Sequence, residues 1–345
     1  MSTTKVIAVH AEPQDAGGFS RRWLSYANSL GHQAIAVNGY ASDLHERLQG
    51  CDALLWHLNQ DHPADLEFAR SILYAAEQAG LRVFPNHATC WHFDDKIAQA
   101  KLLESIGAPL ARTWVFFTRK EGLQFLARAR YPLVFKLRRG AGSINVRLVK
   151  DRFQGERLVR RMFGHGVLSR PPVEVMSRTL ARARRRGADV APWQVRLRRV
   201  LKRGVQWLLH PPRERGYALF QELVPRNDHD LRVTVIGERV FAYRRNVRPN
   251  DFRASGSGRL VHLQQGELPR DAMEVALGLS RHLGFQSMAY DFVRDPVSRK
   301  PVLLEVSYVF VAQFIHDCYG YLEAGTRWCE GHFWPEHAIL DDLLR

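Results

Sequence analysis

Long hydrophobic runs are missing from this chain of 345 residues. No stretch approaches the roughly 18 apolar residues that a membrane-spanning helix needs. The N-terminal run Val6–Val9, preceded by a single lysine, is too short and too early for a secretory signal peptide. Cysteine is scarce: Cys51, Cys90, Cys318 and Cys329 stand far apart, and no CxxC pair occurs. That spacing indicates neither a zinc site nor a disulfide framework. The segment His10–Gly18 after the first strand lacks the GxGxxG spacing of a dinucleotide turn. No GK[ST] triplet opens a helix as a Walker loop requires, and no internal repeat is visible. These absences leave the expectation of a soluble, cytoplasmic protein.

Acidic residues are also in short supply, 35 against 50 Arg and Lys, a formal net charge of +15. Such a surplus raises the question of nucleic acid, but its distribution argues otherwise. Residues 151–216 hold 17 Arg and Lys against 5 Asp and Glu, so most of the excess lies in one segment. Within it Trp193, Leu197, Val200, Leu201, Val205 and Leu208 recur at helical spacing, with Arg196, Arg199, Lys202 and Arg203 on the other face. The pattern predicts a basic amphipathic helix ended by Pro211 and Pro212. Nucleic acid is not the favoured partner.

What is present is a 46% apolar chain, enough for two or three packed units. Strand and helix signals alternate through the first 86 residues: strands at Lys5–His10, Gln33–Val37, Ala53–Leu58 and Leu81–Phe84, helices at Phe19–Leu30 and Ala64–Ala79. That alternation predicts a parallel sheet. A helix is expected over Asp94–Ile106, stopped by Gly107 and Pro109. Then come strand Thr113–Phe117, helix Lys120–Ala129, strand Leu133–Leu137, a glycine loop from Arg138 to Asn145, and strand Val146–Val149. Beyond the basic segment, strands are expected at Tyr217–Val224, Leu231–Ile236 and Val240–Arg244. A Gly/Ser loop over Asn250–Gly258, a helix over Asp271–Leu283, and a hairpin of Met288–Arg294 with Val302–Ser307 follow.

The hairpin carries the sharpest chemical signal. If it is symmetric about Ser298, Asp291 faces Glu305 directly, and Ser307 shares the face of Glu305. Tyr290, Phe292, Leu304 and Val306 then form the core face. Two carboxylates opposed across strands repel. A hard divalent cation such as magnesium, which takes one or two carboxylates plus substrate phosphates, removes that penalty. The plain alternatives are a shifted register, or screening by Arg299 or Lys300.

Cations stand where phosphate would be held. Lys136 ends an apolar run, where a lysine is costly unless paired or reaching a ligand. The loop Arg138–Ser143 offers unobstructed backbone amides and the Ser143 hydroxyl, which suit phosphate oxygens, although such loops also serve as ordinary turns. Lys96 opens a helix at its positive end, where a lysine is electrostatically misplaced unless an anion joins it; the alternative is a solvated surface lysine. Arg253 lies in a flexible loop, and a guanidinium clamps carboxylate or phosphate at two points. A simple surface turn is the alternative there.

In this order the pieces resemble the ATP-grasp family, closest to the branch of glutathione synthetase and the ribosomal-protein glutamate ligase. The stretch Asp95–Leu103 with Gly107–Pro109 resembles the opening of that branch's nucleotide site. Tyr131–Lys136 and its glycine loop resemble the second lysine and phosphate flap. Phe220–Val224 resembles the adenine hinge, and Asp228–Arg232 the polar-to-arginine segment after it. Asn250–Arg253 and Asp291 with Glu305–Ser307 complete the set. The resemblance covers residues 85 to 310 apart from the basic segment. It implies an α/β and α+β protein: a Rossmann-like pre-ATP-grasp domain (1–88), a first ATP-grasp subdomain (89–220) with a basic helical insertion (151–216), and a second subdomain (221–345) carrying the metal hairpin. In that family ATP lies between two α+β subdomains. The γ-phosphate passes to a carboxylate, and an amine then attacks the acyl phosphate.

By the same resemblance Lys96, Lys136 and Ser143 hold phosphates, Glu222, Leu223 and Val224 read adenine, and Asp228 or Asp230 meets the ribose. Arg253 and Arg232 stabilise the transferring phosphoryl group, and Asp291, Glu305 and Ser307 face Mg2+. The sequence departs from the family at Ser307, where asparagine is usual, and at Tyr308–Val311, which replaces the usual loop. A second metal is therefore not implied. The leading expectation is an ATP-dependent carboxylate–amine ligase acting on small-molecule or polymer substrates: an anionic cell-envelope saccharide, a peptide or an amino acid. The alternatives are a protein that binds ATP or an anionic polymer without ligase turnover, and a phosphotransferase on the same fold. Four roles remain open for the basic segment: a lid over an anionic acceptor, a membrane-surface helix, a nucleic-acid contact, or a helical pair packed by its apolar stripe.

Overall fold

The computed structural model describes residues 4–11, 18–60, 62–140, 142–169, 213–249 and 251–345. The expected basic helix around Trp193–Leu208 lies outside the described residues. The chain divides into two compact units, one of Met1–Leu110 with Val224–Arg345, the other of Ala111–Leu223. Among the described residues no helix is long and apolar enough to cross a membrane.

The first unit begins with a parallel sheet of β1 (Val6–His10), β2 (Gln33–Val37), β3 (Ala53–Leu55) and β4 (Arg82–Phe84), in the order β2-β1-β3-β4. The helix Phe19–Ser29 buries Phe19, Trp23 and Ala27. The expected strand Ala53–Leu58 stops at Leu55 because its last residues take other partners. The Leu58 amide donates to Tyr308 Oη at 2.8 Å and the Asn59 amide to Asp65 Oδ2 at 2.5 Å. The expected helix Ala64–Ala79 starts with a π-helical turn, Asp65–Ala69, before regular geometry over Arg70–Gln78. The helix expected over Asp94–Ile106 runs from Lys96 to Ser105. Asp95 caps it, its carboxylate accepting from the Ile97 and Ala98 amides, as an N-terminal aspartate should.

The second unit holds an antiparallel sheet of β5 (Thr113–Phe116), β6 (Leu133–Lys136), β7 (Arg147–Val149) and β10 (Ala218–Glu222), in the order β5-β10-β6-β7. A two-stranded ribbon joins β8 (Val167–Leu168) to β9 (Arg213–Glu214). The helices Arg119–Leu126 and Arg152–Met162 pack closely: a Cβ added at Gly155 would meet Leu126 at 2.8 Å. Alanine at that site therefore forces a repacking.

The rest of the first unit is a seven-stranded sheet of β11 (His229–Ile236), β12 (Arg239–Asn246), β13 (Leu260–His262), β14 (Ser287–Arg294), β15 (Pro301–Ser307), β16 (Gly320–Glu323) and β17 (Arg327–Glu330). Its order is β15-β14-β11-β12-β16-β17, with β13 also on β12. The helix Arg270–Leu283 ends at Gly284, whose left-handed φ of 65° suits glycine at a helix C-terminus. One continuous core joins both sheets of this unit, from Ile7 and Trp23 through Tyr290 and Phe292 to Leu340.

The β14–β15 hairpin corrects one detail. Asp295 closes its turn, accepting from the Val297 and Ser298 amides at 3.0 and 2.7 Å. Toward the strand ends the register is the symmetric one: Ala289 opposes Ser307, Tyr290 opposes Val306, and Asp291 opposes Glu305. Next to the turn it slips by one, so Phe292 opposes Leu303. An irregularity of this kind inserts one residue on one strand and re-aims the side chains beyond it. Leu303 is fully buried and Leu304 only partly, so the core face is Tyr290, Phe292, Leu303 and Val306. Leu303 is fixed from the other side as well, its amide donating to Pro109 O at 2.8 Å.

Two histidines in the first unit are buried in neutral form. Burial lowers both His10 and His92 to a pKa of about 4. A histidine near 6.5 when unfolded takes up a proton there before it does so in the fold, so stability is full above pH 6.5 and falls as pH drops toward 4. The linkage relation gives about 2 kcal/mol lost for each residue between pH 7.5 and pH 5. Urea unfolding at those two pH values is expected to show this loss, and His92→Leu to remove about half of it; equal stability at both pH values contradicts the assignment.

Candidate functional site

The centre of the seven-stranded sheet puts charge in a row. Across β11, β14 and β15, Arg232 pairs with Asp291 and Asp291 with Glu305. Directly opposed residues share a face, so one guanidinium and two carboxylates stand side by side. Asp230 precedes Arg232 by two residues and lies on the same face, register-paired with Arg245 of β12.

Asp230, Arg245, Asp291 and Arg232 form a connected ion network, with the Lys96–Glu305 pair beside it. Arg245 forks onto Asp230, Nε to Oδ1 at 2.7 Å and Nη2 to Oδ2 at 2.6 Å. The same Nη2 lies 2.7 Å from Asp291 Oδ2. Arg232 Nη1 lies 3.1 Å from Asp291 Oδ1. Glu305 Oε1 is 3.2 Å from Lys96 Nζ at the start of the helix Lys96–Ser105. The side chains of Asp291 and Glu305 keep 13% and 29% of their surface exposed, whereas Arg245 and Asp230 each keep 8%. Burial opposes charge on Arg245, but the facing carboxylates of Asp291 and Asp230 outweigh it and hold the guanidinium well above the usual arginine range. Burial pushes Asp230 upward against the pull of Arg245, and it raises Tyr243, beside the cluster, to about 12.

The expected repulsion between Asp291 and Glu305 is thus answered in a way the sequence did not suggest. Two unit charges 4 Å apart interact by about 4 kcal/mol at the effective dielectric of a protein surface, so bare carboxylates here would be costly. Arg232, Arg245 and Lys96 neutralise them, and Arg299 and Lys300 lie exposed in the turn. The donor set still suits a hard cation: two carboxylates on one face, both partly open, with Ser307 beyond them. The Ser307 hydroxyl donates to Val309 O at 3.0 Å. Among the described residues no group of three or more His, Cys, Asp or Glu could hold a metal ion unaided. A metal at this hairpin would therefore need oxygens from phosphate or water, as magnesium commonly does.

The other expected site residues fall in varied settings. Asp228 is exposed and pairs with His229 Nδ1 at 2.6 Å. Asp230 belongs to the ion network. Arg253 chelates Asp251, with Nε at 2.9 Å and Nη2 at 2.7 Å from Oδ2, and the Arg253 partner holds that carboxyl below the usual range. In the second unit Lys136 is buried at the end of β6, opposite Leu219 of β10. The glycine loop after it bends through left-handed residues, Gly140, Gly142 and Ser143 at φ 108°, 68° and 62°. The Arg138 amide donates to Tyr217 Oη at 2.7 Å, which anchors the loop's start. The Glu222 amide donates to Arg112 O at 2.8 Å, and the division between the two units falls between Leu223 and Val224.

Arg245 escaped the sequence reading. Its signal was alternation: Phe241, Tyr243 and Arg245 share one face of β12 and all three are buried, so an arginine continuing an aromatic stripe needs a buried anion. A second polar cluster at the carboxyl ends of β1 and β3 was also missed. There His10 stacks on Trp56 at 4.0 Å, and Asp65 receives His62 at 3.0 Å.

Breaking a buried ion pair from one side costs about 3–5 kcal/mol because the partner charge is stranded. Arg245→Met is expected to cost about that much in urea unfolding, with Asp230→Asn in the same chain recovering part of it. A cost below about 1 kcal/mol contradicts the network.

No protein-family model matches the sequence, and no curated protein matches it. Solved structures do. A RimK domain ATP-grasp protein from Sphaerobacter thermophilus superposes with a TM-score of 0.55 at 16% identity, over 98% of this chain and 99% of that one. A RiPP-associated ATP-grasp ligase from Chryseobacterium gregarium, solved with ADP and a leader and core peptide, gives 0.54 at 14% identity over 99% and 96%. The biotin carboxylase domain of 2-oxoglutarate carboxylase from Hydrogenobacter thermophilus, solved with MgADP and bicarbonate, gives 0.54 at 11% identity over 98% and 69%. With its mixed α/β sheets matched along nearly its whole length, the chain has the ATP-grasp fold.

Proposed function

We propose that this protein is an ATP-dependent ligase that joins a carboxylate to an amine through an acyl phosphate. The observation that carries the reading is the charged row Arg232–Asp291–Glu305 with Lys96 against it, on the sheet of an ATP-grasp fold. Phosphoryl transfer asks little covalent chemistry of a protein; it asks for positioning and charge neutralisation. A row of carboxylates and cations that nearly cancel is suited to a polyphosphate and its counter-ion.

In this reading Asp291 and Glu305 would hold one magnesium ion, which would supply positive charge to offset that of the phosphates. Ser307 contributes at most a weak hydroxyl contact. Lys96 and Arg232 take phosphate oxygens, and Arg253 turns from Asp251 to the transferring group. Arg245 stays with Asp230 and keeps the Asp291 carboxylate aimed. Lys136 and the amides around Ser143 hold phosphate. The backbone of Glu222, Leu223 and Val224 reads adenine, and exposed Asp228 is better placed for the ribose than buried Asp230. The functional division is the one expected from sequence, 1–88, 89–220 and 221–345, and the work is done in the cytoplasm. The acceptor class extends from small amino acids to peptides and anionic saccharides, and the basic segment 151–216 is the natural place to recognise an anionic one.

A second reading, nucleotide binding without turnover, draws on Asp291 being held by two arginines and on Ser307 standing where the family's asparagine is usual. Product analysis separates the two. With ATP, magnesium and panels of carboxylates and amines, ligation releases ADP and free phosphate only when both substrates are present. A phosphorylated acceptor as end product contradicts ligation, and nucleotide binding with no ADP released under any panel favours the second reading. Asp291→Asn and Glu305→Gln are each expected to lower turnover at least about 100-fold, the loss of roughly 2.7 kcal/mol of transition-state stabilisation. Lys136→Ala is expected to weaken ATP binding about tenfold in calorimetry; unchanged affinity removes Lys136 from the site.

A further inference from the structure

The charges at the hairpin cancel: Asp230, Asp291 and Glu305 against Arg232, Arg245 and Lys96. The three cations are not equally committed. Arg245 is buried and shared between two carboxylates, 2.6 Å from Asp230 and 2.7 Å from Asp291. Withdrawing it would strand both. Arg232 meets Asp291 and reaches the Val309 carbonyl only at 3.5 Å, and its buried Nε has no hydrogen-bond partner among the described residues. Lys96 meets Glu305 from the first position of a helix, where the positive end of the helix dipole disfavours a cation. Arg232 and Lys96 are therefore the cations that meet the Asp291–Glu305 pair without bridging to Asp230, Arg232 at Asp291 and Lys96 at Glu305, and both are nearly as buried as Arg245, their side chains 12% and 10% exposed.

We propose that Arg232 and Lys96 act as internal counter-ions in place of the metal, so that a divalent cation gains Asp291 and Glu305 only when nucleotide phosphates draw these two side chains away. The inference rests on the reading of the hairpin as the metal site. A dication added to a set of charges that already cancel meets three cations at close range. A polyphosphate offers Arg232 and Lys96 charge-assisted hydrogen bonds at least as good as those they leave, and the carboxylates are then released together. Nucleotide and metal binding become mutually dependent, since linkage is reciprocal. Arg245 remains on Asp291 Oδ2.

The test needs no turnover and no nucleotide. Free Mn2+ is followed by electron paramagnetic resonance as it is titrated with the full chain. Wild-type protein is expected to bind Mn2+ weakly, and the double variant Arg232→Gln/Lys96→Gln at least about tenfold more tightly, a coupling of ordinary size for linked sites. Adding Asp291→Asn to that double variant is expected to abolish the gain. Wild type binding Mn2+ as tightly as the double variant overturns the proposal. If the double variant does not fold, as judged by circular dichroism, Lys96→Gln alone should tighten binding about threefold, and unchanged affinity again overturns it. Mn2+ with ADP on wild type keeps the two ideas apart. No binding of that complex removes the nucleotide reading itself, whereas its binding without any gain in the variants removes only the counter-ion role.

Discussion

A single guanidinium shared by one buried and one partly open carboxylate is the constraint on which the candidate site depends. Arg245 ties Asp230 of one strand to Asp291 of another, crossing the middle of the seven-stranded sheet. Without it, two acids would sit in the interior with only Arg232 nearby, and the sheet could not keep a charged row beside Tyr290 and Phe292, which are fully buried. With it, Asp291 is fixed in orientation while part of its surface stays open. Outer partners of this kind, aiming a ligand without occupying its place, commonly decide how well a metal site works.

The rest of the sheet accommodates that row. The register slip between Asp291 and Phe292 lets Glu305 face Asp291 while Leu303, rather than Leu304, enters the core. The same strand leads into Tyr308, which is buried and accepts a hydrogen bond from the Leu58 amide, three residues beyond β3. Tyr308 thus fastens the end of the hairpin to the residues that follow β3 of the N-terminal sheet. A ligand held at Asp291 and Glu305 would lie on a part of the fold braced from both sides, a condition that precise positioning of phosphates requires.

Much of this was legible in the sequence. Alternation within β14 and β15 put Asp291 against Glu305, and the turn from Asp295 to Pro301 supplied the register, because hairpin pairing follows from the turn. The slip next to the turn was not legible, since a bulge depends on tertiary packing around Leu303, including the Pro109 carbonyl. The partners of the carboxylates were hidden for a similar reason. Lys96 lies more than 200 positions from Glu305, and Arg245 sits just past Arg244, where the strand was expected to end, although β12 runs to Asn246. Local pattern shows that a buried charge needs an opposite one; only the fold says which residue supplies it. The His10–Trp56–Asp65 cluster was illegible because His10 ends β1 whereas Trp56 and Asp65 follow β3, more than 40 positions along the chain.

The central claim is that the hairpin carboxylates grip a nucleotide-bound metal. The most direct test is a crystal of the protein with Mn2+ and a non-hydrolysable ATP analogue, read by anomalous scattering at the manganese edge. The account predicts a peak at coordinating distance from both Asp291 and Glu305, with Arg232 and Lys96 turned to phosphate and Arg245 still on Asp230. A nucleotide bound with its manganese away from these carboxylates, or with Arg232 and Lys96 still paired to them, would contradict it.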